Sequence, residues 1–136
     1  MKILILCTGN SCRSQIAEAF LKSFNKNIEV FSAGTQPTEN VNPYAIKVMQ
    51  EIGIDISKNK PKNVAEFLSQ EFDYVVTVCD GAKESCPLFT GKVKNRLQLG
   101  FEDPADAKGS ESEIMEVFRK VRNLIKEEFL KLNAKI

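Results

Sequence analysis

The sequence contains no histidine and no tryptophan. Without an imidazole the chain cannot form a Cys/His dyad or a Ser/His/Asp triad, and it lacks the usual nitrogen ligand of most zinc sites. Any nucleophile in this protein must therefore be activated by something other than a neighbouring histidine.

Long hydrophobic runs and a strong charge of either sign are also lacking. The longest apolar runs, residues 3–7 and 74–79, are far too short to span a bilayer, and no signal segment precedes the first of them. The formal net charge is +1, with 27% charged and 43% hydrophobic residues, which argues against a nucleic-acid-binding field and against a disordered chain. We expect a cytoplasmic protein whose partners include neither a membrane nor nucleic acid.

Short aliphatic runs alternate along the chain with segments of helical periodicity. We predict strands at residues 2–6, 28–31 and 74–78 and a weaker strand at 93–99. This alternation predicts an α/β fold with three layers (α/β/α), in which helices cover both faces of a four-stranded parallel sheet. No linker or repeat is present, so residues 1–136 are expected to form a single domain.

Several residues mark the ends of the predicted helices. Asn42 and Pro43 supply an N-cap and a first-turn proline, and Gly53 is a plausible stop. The buried face of that helix is predicted to carry Ala45, Val48, Met49 and Ile52. Capping pairs occur at Asn63 with Glu66 and at Ser110 with Glu113, the latter before an apolar stripe that predicts one long closing helix.

The chain has four cysteines, Cys7, Cys12, Cys79 and Cys86. Structural disulfides are rare in a reducing cytosol, so catalytic, redox-active or metal-binding thiols are expected. Cys7 and Cys79 each follow a predicted strand, and active sites of parallel sheets lie beyond the carboxyl ends of the strands, so the two thiols can meet there. A zinc site is the alternative, but the C-x4-C and C-x6-C spacings are looser than those of structural zinc pairs, and we predict no bound metal.

Residues 7–14 have the form C-x5-R-S between a strand and a helix, a pattern that favours oxyanion binding. Small residues, with Gly9 among them, allow successive N–H groups to converge on a tetrahedral anion, and Arg13 offers a planar fork of donors. The helix that begins near Ser14 adds its positive end, so the pKa of Cys7 should fall and its thiolate should be the nucleophile. The expected oxyanion-binding residues are Thr8, Gly9, Asn10, Ser11, Cys12 and Arg13, with the Ser14 hydroxyl as a further donor near the sulfur.

A simpler interpretation makes Cys7 a small buried hydrophobe and Arg13 a surface charge. The strand context, the glycine, the spacing and the arginine together favour the anion loop instead. A Walker A loop is excluded because the sequence has no G-x4-G-K-S/T motif.

From residue 3 to about residue 105 the chain resembles a known family. The segments that carry the resemblance are CTGNSCRSQIAEAF, FSAG, VNP, DIS, VVTVCD and FEDPA. They are similar to the thioredoxin-coupled arsenate reductases, which share the fold of the low-molecular-weight protein tyrosine phosphatases. The phosphatases typically have a tyrosine after their Asp-Pro, whereas Ala105 follows Asp103 and Pro104 here, and the phosphatases lack the Cys79 and Cys86 pair.

The resemblance implies a low-molecular-weight phosphatase-like fold and a redox mechanism with three cysteines. Cys7 would attack arsenate held by the loop and Arg13, while Asp103 would protonate the departing oxygen. Cys79 would then attack Cys7 and release arsenite, and Cys86 would attack Cys79, so that two thiolates supply the two electrons that arsenate reduction needs. Reduced thioredoxin would be the electron donor and reset the enzyme, with no bound cofactor.

The same resemblance implies the partners of the site. Arsenate is the expected substrate, phosphate and sulfate are competing oxyanions, and weak phosphatase activity should persist because phosphate and arsenate have nearly the same shape. A monomer is the default expectation.

The spacing of Cys79 and Cys86 has a geometric consequence if residues 80–90 form a helix in the reduced protein. Seven helical residues separate the two positions by about 10 Å, whereas a disulfide needs Cα atoms within about 7 Å. The segment would then have to unwind during turnover, with Gly81 and Gly91 as places to bend.

Two further expectations concern the surroundings of the loop. The side chain of Cys12 should point into the core and have no redox role. Members of the family often place Asn10, Glu18 and Ser32 beneath the loop, where some hold a potassium ion with an acidic residue near position 62. This chain has Lys62 there, whose ammonium could replace the cation, although Lys58, Lys60 and Lys62 could equally be a solvated loop.

Two other functions stay open at this point. One is a phosphomonoesterase of the tyrosine phosphatase type, which would not need Cys86. The other is a noncatalytic redox sensor that reports its thiol state to a partner.

Overall fold

A computed structural model of the protein describes residues 1–81 and 88–136. The strands are β1 (Lys2–Cys7), β2 (Glu29–Gly34), β3 (Phe72–Thr77) and β4 (Val93–Gln98). The α-helices are α1 (Arg13–Phe24), α2 (Pro43–Gln50) and α3 (Glu111–Lys135). Two 3-10 helices span Val64–Phe67 and Pro104–Asp106.

The four strands form one parallel sheet in the order β2-β1-β3-β4. The predicted four-stranded parallel sheet is therefore confirmed, and the observed strand ends differ from the predicted ones by a few residues. The side chains of β4 are mostly exposed, because β4 is an edge strand, which explains its weak hydrophobic signal. All four carboxyl ends lie at one edge, and the loops after β1 and β3 meet there.

Both faces of the sheet are covered, but by different kinds of structure. The helices α1, α2 and α3 pack on one face, against Ile3 and Ile5 of β1 and Val76 of β3. The other face holds Leu4 and Leu6 of β1 within an aromatic cluster of Phe67, Phe72 and Phe89. The described cover of this second face comes from the 3-10 helix Val64–Phe67 and from the chain around Phe89.

The helix ends follow the capping signals of the sequence. Asn42 accepts from the N–H of Tyr44 at the start of α2, and Ser110 and Glu113 form a reciprocal capping box at the start of α3. Gly53 has a φ of 80° after α2, which favours glycine. Ile52 is exposed rather than buried, because α2 ends at Gln50 and the chain turns before Ile52 reaches the core.

Within the described ranges, no helix combines the length and the apolar character that crossing a membrane requires.

Candidate active site

The loop of residues 8–12 joins β1 to α1 with several of its carbonyl groups engaged by a neighbouring segment. The N–H of Gln36 donates to Thr8 O at 3.0 Å, and the N–H of Thr38 donates to Gly9 O at 3.0 Å. The N–H of Asn42 donates to Ser11 O at 2.9 Å. An oxyanion site needs such an arrangement, because carbonyl oxygens on its concave side would repel the anion.

Asn10 is the residue that gives the loop its left-handed turn. Its φ is 51°, a conformation that asparagine tolerates better than most residues, and its side chain is fully buried. The small residues and Gly9 are predicted to let the loop curl, and within the described residues of the loop the positive φ belongs to Asn10. The loop therefore obtains its curvature from an asparagine whose side chain also forms hydrogen bonds.

The amide of Asn10 connects the loop to three parts of the fold. Its Nδ2 donates to Ser14 Oγ at 2.8 Å in α1 and to Ser32 Oγ at 2.9 Å in β2. Its Oδ1 accepts from the backbone N–H of Lys62 at 2.9 Å and from Gln15 Nε2 at 3.1 Å. All the hydrogen-bonding groups of this buried amide are thus engaged in holding the loop from below.

Gln15 and Gly34 are two supports of the loop that the sequence analysis did not identify. Gln15 is fully buried and also donates to Lys60 O at 3.3 Å, while Gly34 lies so close to Thr8 that a Cβ there would be 2.3 Å from the Thr8 carbonyl oxygen. A polar residue on the buried face of α1 was the available signal for Gln15. The sequence carries no local signal for Gly34, since its close contact comes from another strand.

Arg13 and Asp103 lie together, as the site prediction requires. Arg13 is 3% exposed; its Nη1 donates to Phe101 O at 3.0 Å and its Nη2 is 3.5 Å from Asp103 Oδ2. The other carboxylate oxygen of Asp103 accepts from the N–H of Ala105 at 3.0 Å, at the start of the 3-10 helix Pro104–Asp106. The guanidinium is therefore held at the loop by the chain that follows β4.

Ser14 is buried beneath the loop and accepts the hydrogen bond from Asn10. Its hydroxyl hydrogen therefore points away from Asn10. That this hydrogen is donated to the Cys7 sulfur stays a prediction.

Cys7 and Cys12 are both buried and reduced, yet their positions differ. Cys7 is the last residue of β1 and Cys12 immediately precedes α1; both pack in the larger core cluster, as predicted for Cys12. The pKa of the Cys12 thiol is raised to about 12, chiefly by burial; Asp103 and Cys7 also raise it, while the hydrogen bond with Ser11 and the charge of Arg13 lower it. Cys12 is therefore an uncharged thiol at neutral pH.

Cys79 follows β3, is fully buried, and is disulfide-bonded in this structure. Cys86 lies within residues 82–87, outside the described residues, and so does most of the predicted helix of residues 80–90. Their geometry, including the proposed unwinding, stays a prediction.

The sheet brings Cys7 and Cys79 to the same edge on neighbouring strands. The N–H of Val78 donates to Leu6 O at 3.0 Å, and β1 pairs with β3 up to Leu6 opposite Thr77. Adjacent strands lie about 4.8 Å apart, so the main chain at Cys7 lies close to the main chain at Cys79. Both cysteines therefore lie at the same edge of the sheet, and that their thiols meet there stays a prediction.

Beneath the loop, the carboxylate of Glu18 is buried between two lysines. Lys22 Nζ lies 2.9 Å from Glu18 Oε2, and Lys62 Nζ lies 3.9 Å from Glu18 Oε1. Of the oxygens that a potassium ion would need, Asn10 Oδ1 already accepts two hydrogen bonds and Ser32 Oγ accepts one. The residues present therefore fit an internal ammonium better than a bound alkali cation, and Lys62 is more than a solvated loop residue.

The pKa of Cys12 leads to a prediction for thiol labelling. At pH 8 about one Cys12 thiol in ten thousand would be ionised, so iodoacetamide should leave it unmodified in the folded, reduced protein. Trypsin places Cys7 and Cys12 on one peptide, residues 3–13, so fragment ions must locate the label. Labelling in guanidinium chloride is the control, and modification of Cys12 in the native protein as fast as in the denatured one would contradict the prediction.

Comparison with known proteins gives a consistent result. The family model for low molecular weight phosphotyrosine protein phosphatase matches residues 2–136. An arsenate reductase of Halalkalibacterium halodurans is 47% identical over 124 residues, which are 90% of this chain and 88% of that protein.

Solved structures agree with the sequence comparison. An arsenate reductase in its oxidized state matches with a TM-score of 0.79 and 34% identity, covering 98% of this chain and 97% of the other. An arsenate reductase in the phosphate binding state matches with a TM-score of 0.75 and 33% identity, covering 99% and 98% of the two chains.

Proposed function

Because this chain belongs to the arsenate reductases of the low molecular weight phosphotyrosine protein phosphatase family, we propose that it reduces arsenate to arsenite with electrons from thioredoxin. The observation that carries the proposal is the sheet edge that Cys7 shares with Cys79, beside a loop whose carbonyls are engaged elsewhere. Nucleophile, anion site and second thiol then lie within one small region.

The first step is binding and covalent attack. The N–H groups of residues 8–12 and the guanidinium of Arg13 hold the arsenate oxygens, and Arg13 is already fixed by Phe101 O and Asp103. The Cys7 thiolate forms a bond to arsenic while one arsenic–oxygen bond breaks. Asp103 supplies the proton with which that oxygen leaves as water.

The second step transfers the electrons. The Cys79 thiolate attacks the Cys7 sulfur, the electron pair of the sulfur–arsenic bond stays on arsenic, and As(V) leaves as As(III) in arsenite. A disulfide between Cys7 and Cys79 remains. The disulfide that Cys79 forms in this structure supports a redox-active role for this buried thiol.

The last step regenerates the site. Cys86 attacks Cys79 and frees the Cys7 thiolate, which leaves a disulfide between Cys79 and Cys86. The dithiol of reduced thioredoxin reduces this disulfide by thiol–disulfide exchange and is itself oxidised, so both electrons ultimately come from thioredoxin.

One assay with a Cys86→Ser variant tests the mechanism. With thioredoxin, thioredoxin reductase and NADPH, the wild type should produce arsenite continuously, while the variant should release one equivalent and stop. Omission of thioredoxin is the control, and it should limit the wild type to one equivalent of arsenite as well. Repeated turnover by the variant would remove Cys86 from the mechanism, and no arsenite from the wild type would refute the proposed activity.

Weak phosphatase activity is part of the proposal. Phosphate resembles arsenate in shape and charge, and the loop, Arg13 and Asp103 do not depend on the redox chemistry of Cys79. Phosphate and sulfate should therefore compete with arsenate for the loop. We also propose that the protein acts as a monomer in the cytoplasm, where thioredoxin is kept reduced.

The lysines around Glu18 predict how activity depends on potassium. Since the ammonium of Lys62 lies where a cation would neutralise Glu18, arsenate reduction should change less than about twofold between potassium and sodium salts at equal ionic strength. A Lys62→Met variant is the matched test, because it removes the internal cation and should make the protein more responsive to potassium. Strong activation of the wild type by potassium would contradict this interpretation of Lys62.

A further inference from the structure

The chain that follows β4 is bound to the main chain that carries Cys79. The N–H of Leu99 donates to Thr77 O at 2.9 Å, and the N–H of Phe101 donates to Val78 O at 3.2 Å. One residue further, where β3 has ended, Gln98 Nε2 donates to Cys79 O at 3.1 Å. A side-chain amide thus continues the pairing at the residue whose thiol must react.

Close packing supports the same peptide. A Cβ added at Gly100 would lie 3.3 Å from Cys79 O and 3.8 Å from the Cα of Asp80, so the backbone at Gly100 lies directly against this carbonyl. The carbonyl of Cys79 is therefore held between the amide of Gln98 and the chain at Gly100. This contact exists while Cys79 is disulfide-bonded, so it is compatible with the oxidised state.

The same segment holds the anion site through a different residue. The carbonyl of Phe101 accepts from Arg13, and Asp103 lies against the guanidinium. The segment of residues 98–103 therefore contacts Cys79 at its start and Arg13 at its end.

We propose that Gln98 is a positioning residue for Cys79: its amide fixes the Cys79 peptide and thereby directs the thiol toward Cys7. This inference rests on the proposed function, in which the Cys79 sulfur must approach the Cys7 sulfur in line with the bond that breaks. Rates of such steps are sensitive to displacements of about 1 Å, so one hydrogen bond at the reacting residue has a measurable effect. Gln98 itself does not touch the substrate.

The test compares three variants. Gln98→Leu keeps the size of the side chain but removes the donor, whereas Gln98→Lys restores a donor of similar reach. Asn95→Leu is the matched control, because Asn95 Nδ2 donates to Asp73 O at 3.1 Å and so forms the same type of bond from β4 to β3 at the other end of the strand. Gln98 and Asn95 are both exposed, so folding should be preserved.

Three measurements separate positioning from a structural role. The first is the dissociation constant of inorganic phosphate, and the second is arsenite release in a single turnover. The third is the rate at which Cys7 and Cys79 form a disulfide in a Cys86→Ser background when diamide accepts the two electrons and two protons. Gln98→Leu should slow both arsenite release and disulfide formation by about tenfold. Its phosphate affinity should stay within about twofold of wild type. Gln98→Lys should recover part of both rates.

Each outcome decides the proposal. Wild-type rates in Gln98→Leu would overturn it, as would a parallel loss of phosphate affinity, or equal slowing in Asn95→Leu, since these indicate a general structural role. Failure of the wild type to release arsenite would refute the proposed function alone. The disulfide measurement would then still decide whether Gln98 positions Cys79.

Discussion

Replacing Gly34 with alanine should weaken phosphate binding roughly 10- to 100-fold and lower the free energy of unfolding by about 1–3 kcal/mol. The added Cβ would lie 2.3 Å from Thr8 O, 2.9 Å from Thr8 C and 3.1 Å from Asn10 N. All three contacts are backbone atoms of the anion loop, so relief requires either the loop or the end of β2 to move. Isothermal titration with phosphate and urea unfolding measure the two effects.

Gly9→Ala is the matched control for this prediction. Gly9 lies within the loop itself, but a Cβ there would meet only Thr38 Cγ2 at 3.4 Å and Ser11 Oγ at 3.6 Å, which are ordinary contacts. Gly9→Ala should therefore retain phosphate binding within a few-fold of wild type. Equal losses in both variants would show that the loop depends on its flexibility rather than on the contact at Gly34.

The sequence predicted those parts of the fold that depend on neighbouring residues. The N-cap at Asn42 and the capping box of Ser110 and Glu113 need only a few consecutive residues, and both are present. The anion loop was found for the same reason, since its cysteine, arginine and following helix lie within residues 7–14. Cys7 and Cys79 required one further rule, that the carboxyl ends of parallel strands share an edge.

Contacts between distant segments could not be predicted in this way. Position 34 needs a glycine because a Cβ there would collide with the backbone of Thr8. The Oδ1 of Asn10 accepts a hydrogen bond from the main-chain N–H of Lys62, fifty-two positions away. Nothing in the local pattern of either residue indicates its partner. For the same reason the sequence predicts a curled loop of small residues but does not indicate that Asn10 has the positive φ and the hydrogen bonds that hold it.

The placement of the helices shows a similar limit. Periodicity predicts that each helix has a buried side, but it does not say which face of the sheet that side covers. Here α1, α2 and α3 all contribute to the same core cluster. Successive residues of β1 point to opposite faces of the sheet, so Ile3 and Ile5 face this cluster, whereas Leu4 and Leu6 face the smaller one. The anion loop consequently lies above the larger core, to which Cys12 belongs.

The second large effect is expected at Asn10, where alanine and glycine should each lower the free energy of unfolding by about 3–5 kcal/mol. Both substitutions leave the part-buried N–H of Lys62 and one N–H of the Gln15 amide without an acceptor, at about 1–3 kcal/mol for each unsatisfied group. They also remove the Nδ2 group that donates hydrogen bonds to the hydroxyl oxygens of Ser14 and Ser32. Phosphate binding should be lost along with this stability, because the same amide fixes the curvature of the loop.

The difference between the two variants isolates the backbone contribution. Glycine adopts a φ of 51° without strain, whereas alanine does not, so Asn10→Ala should be less stable than Asn10→Gly by about 1 kcal/mol. Asn59→Ala is the control at the edge of the same network, where Nδ2 donates to Gln15 Oε1 at 3.3 Å, and it should cost about 1 kcal/mol or less. If Asn10→Gly unfolds at the urea concentration of the wild type, the amide does not hold the loop, and the support must come from Gly34 and the segment of residues 36–42 alone.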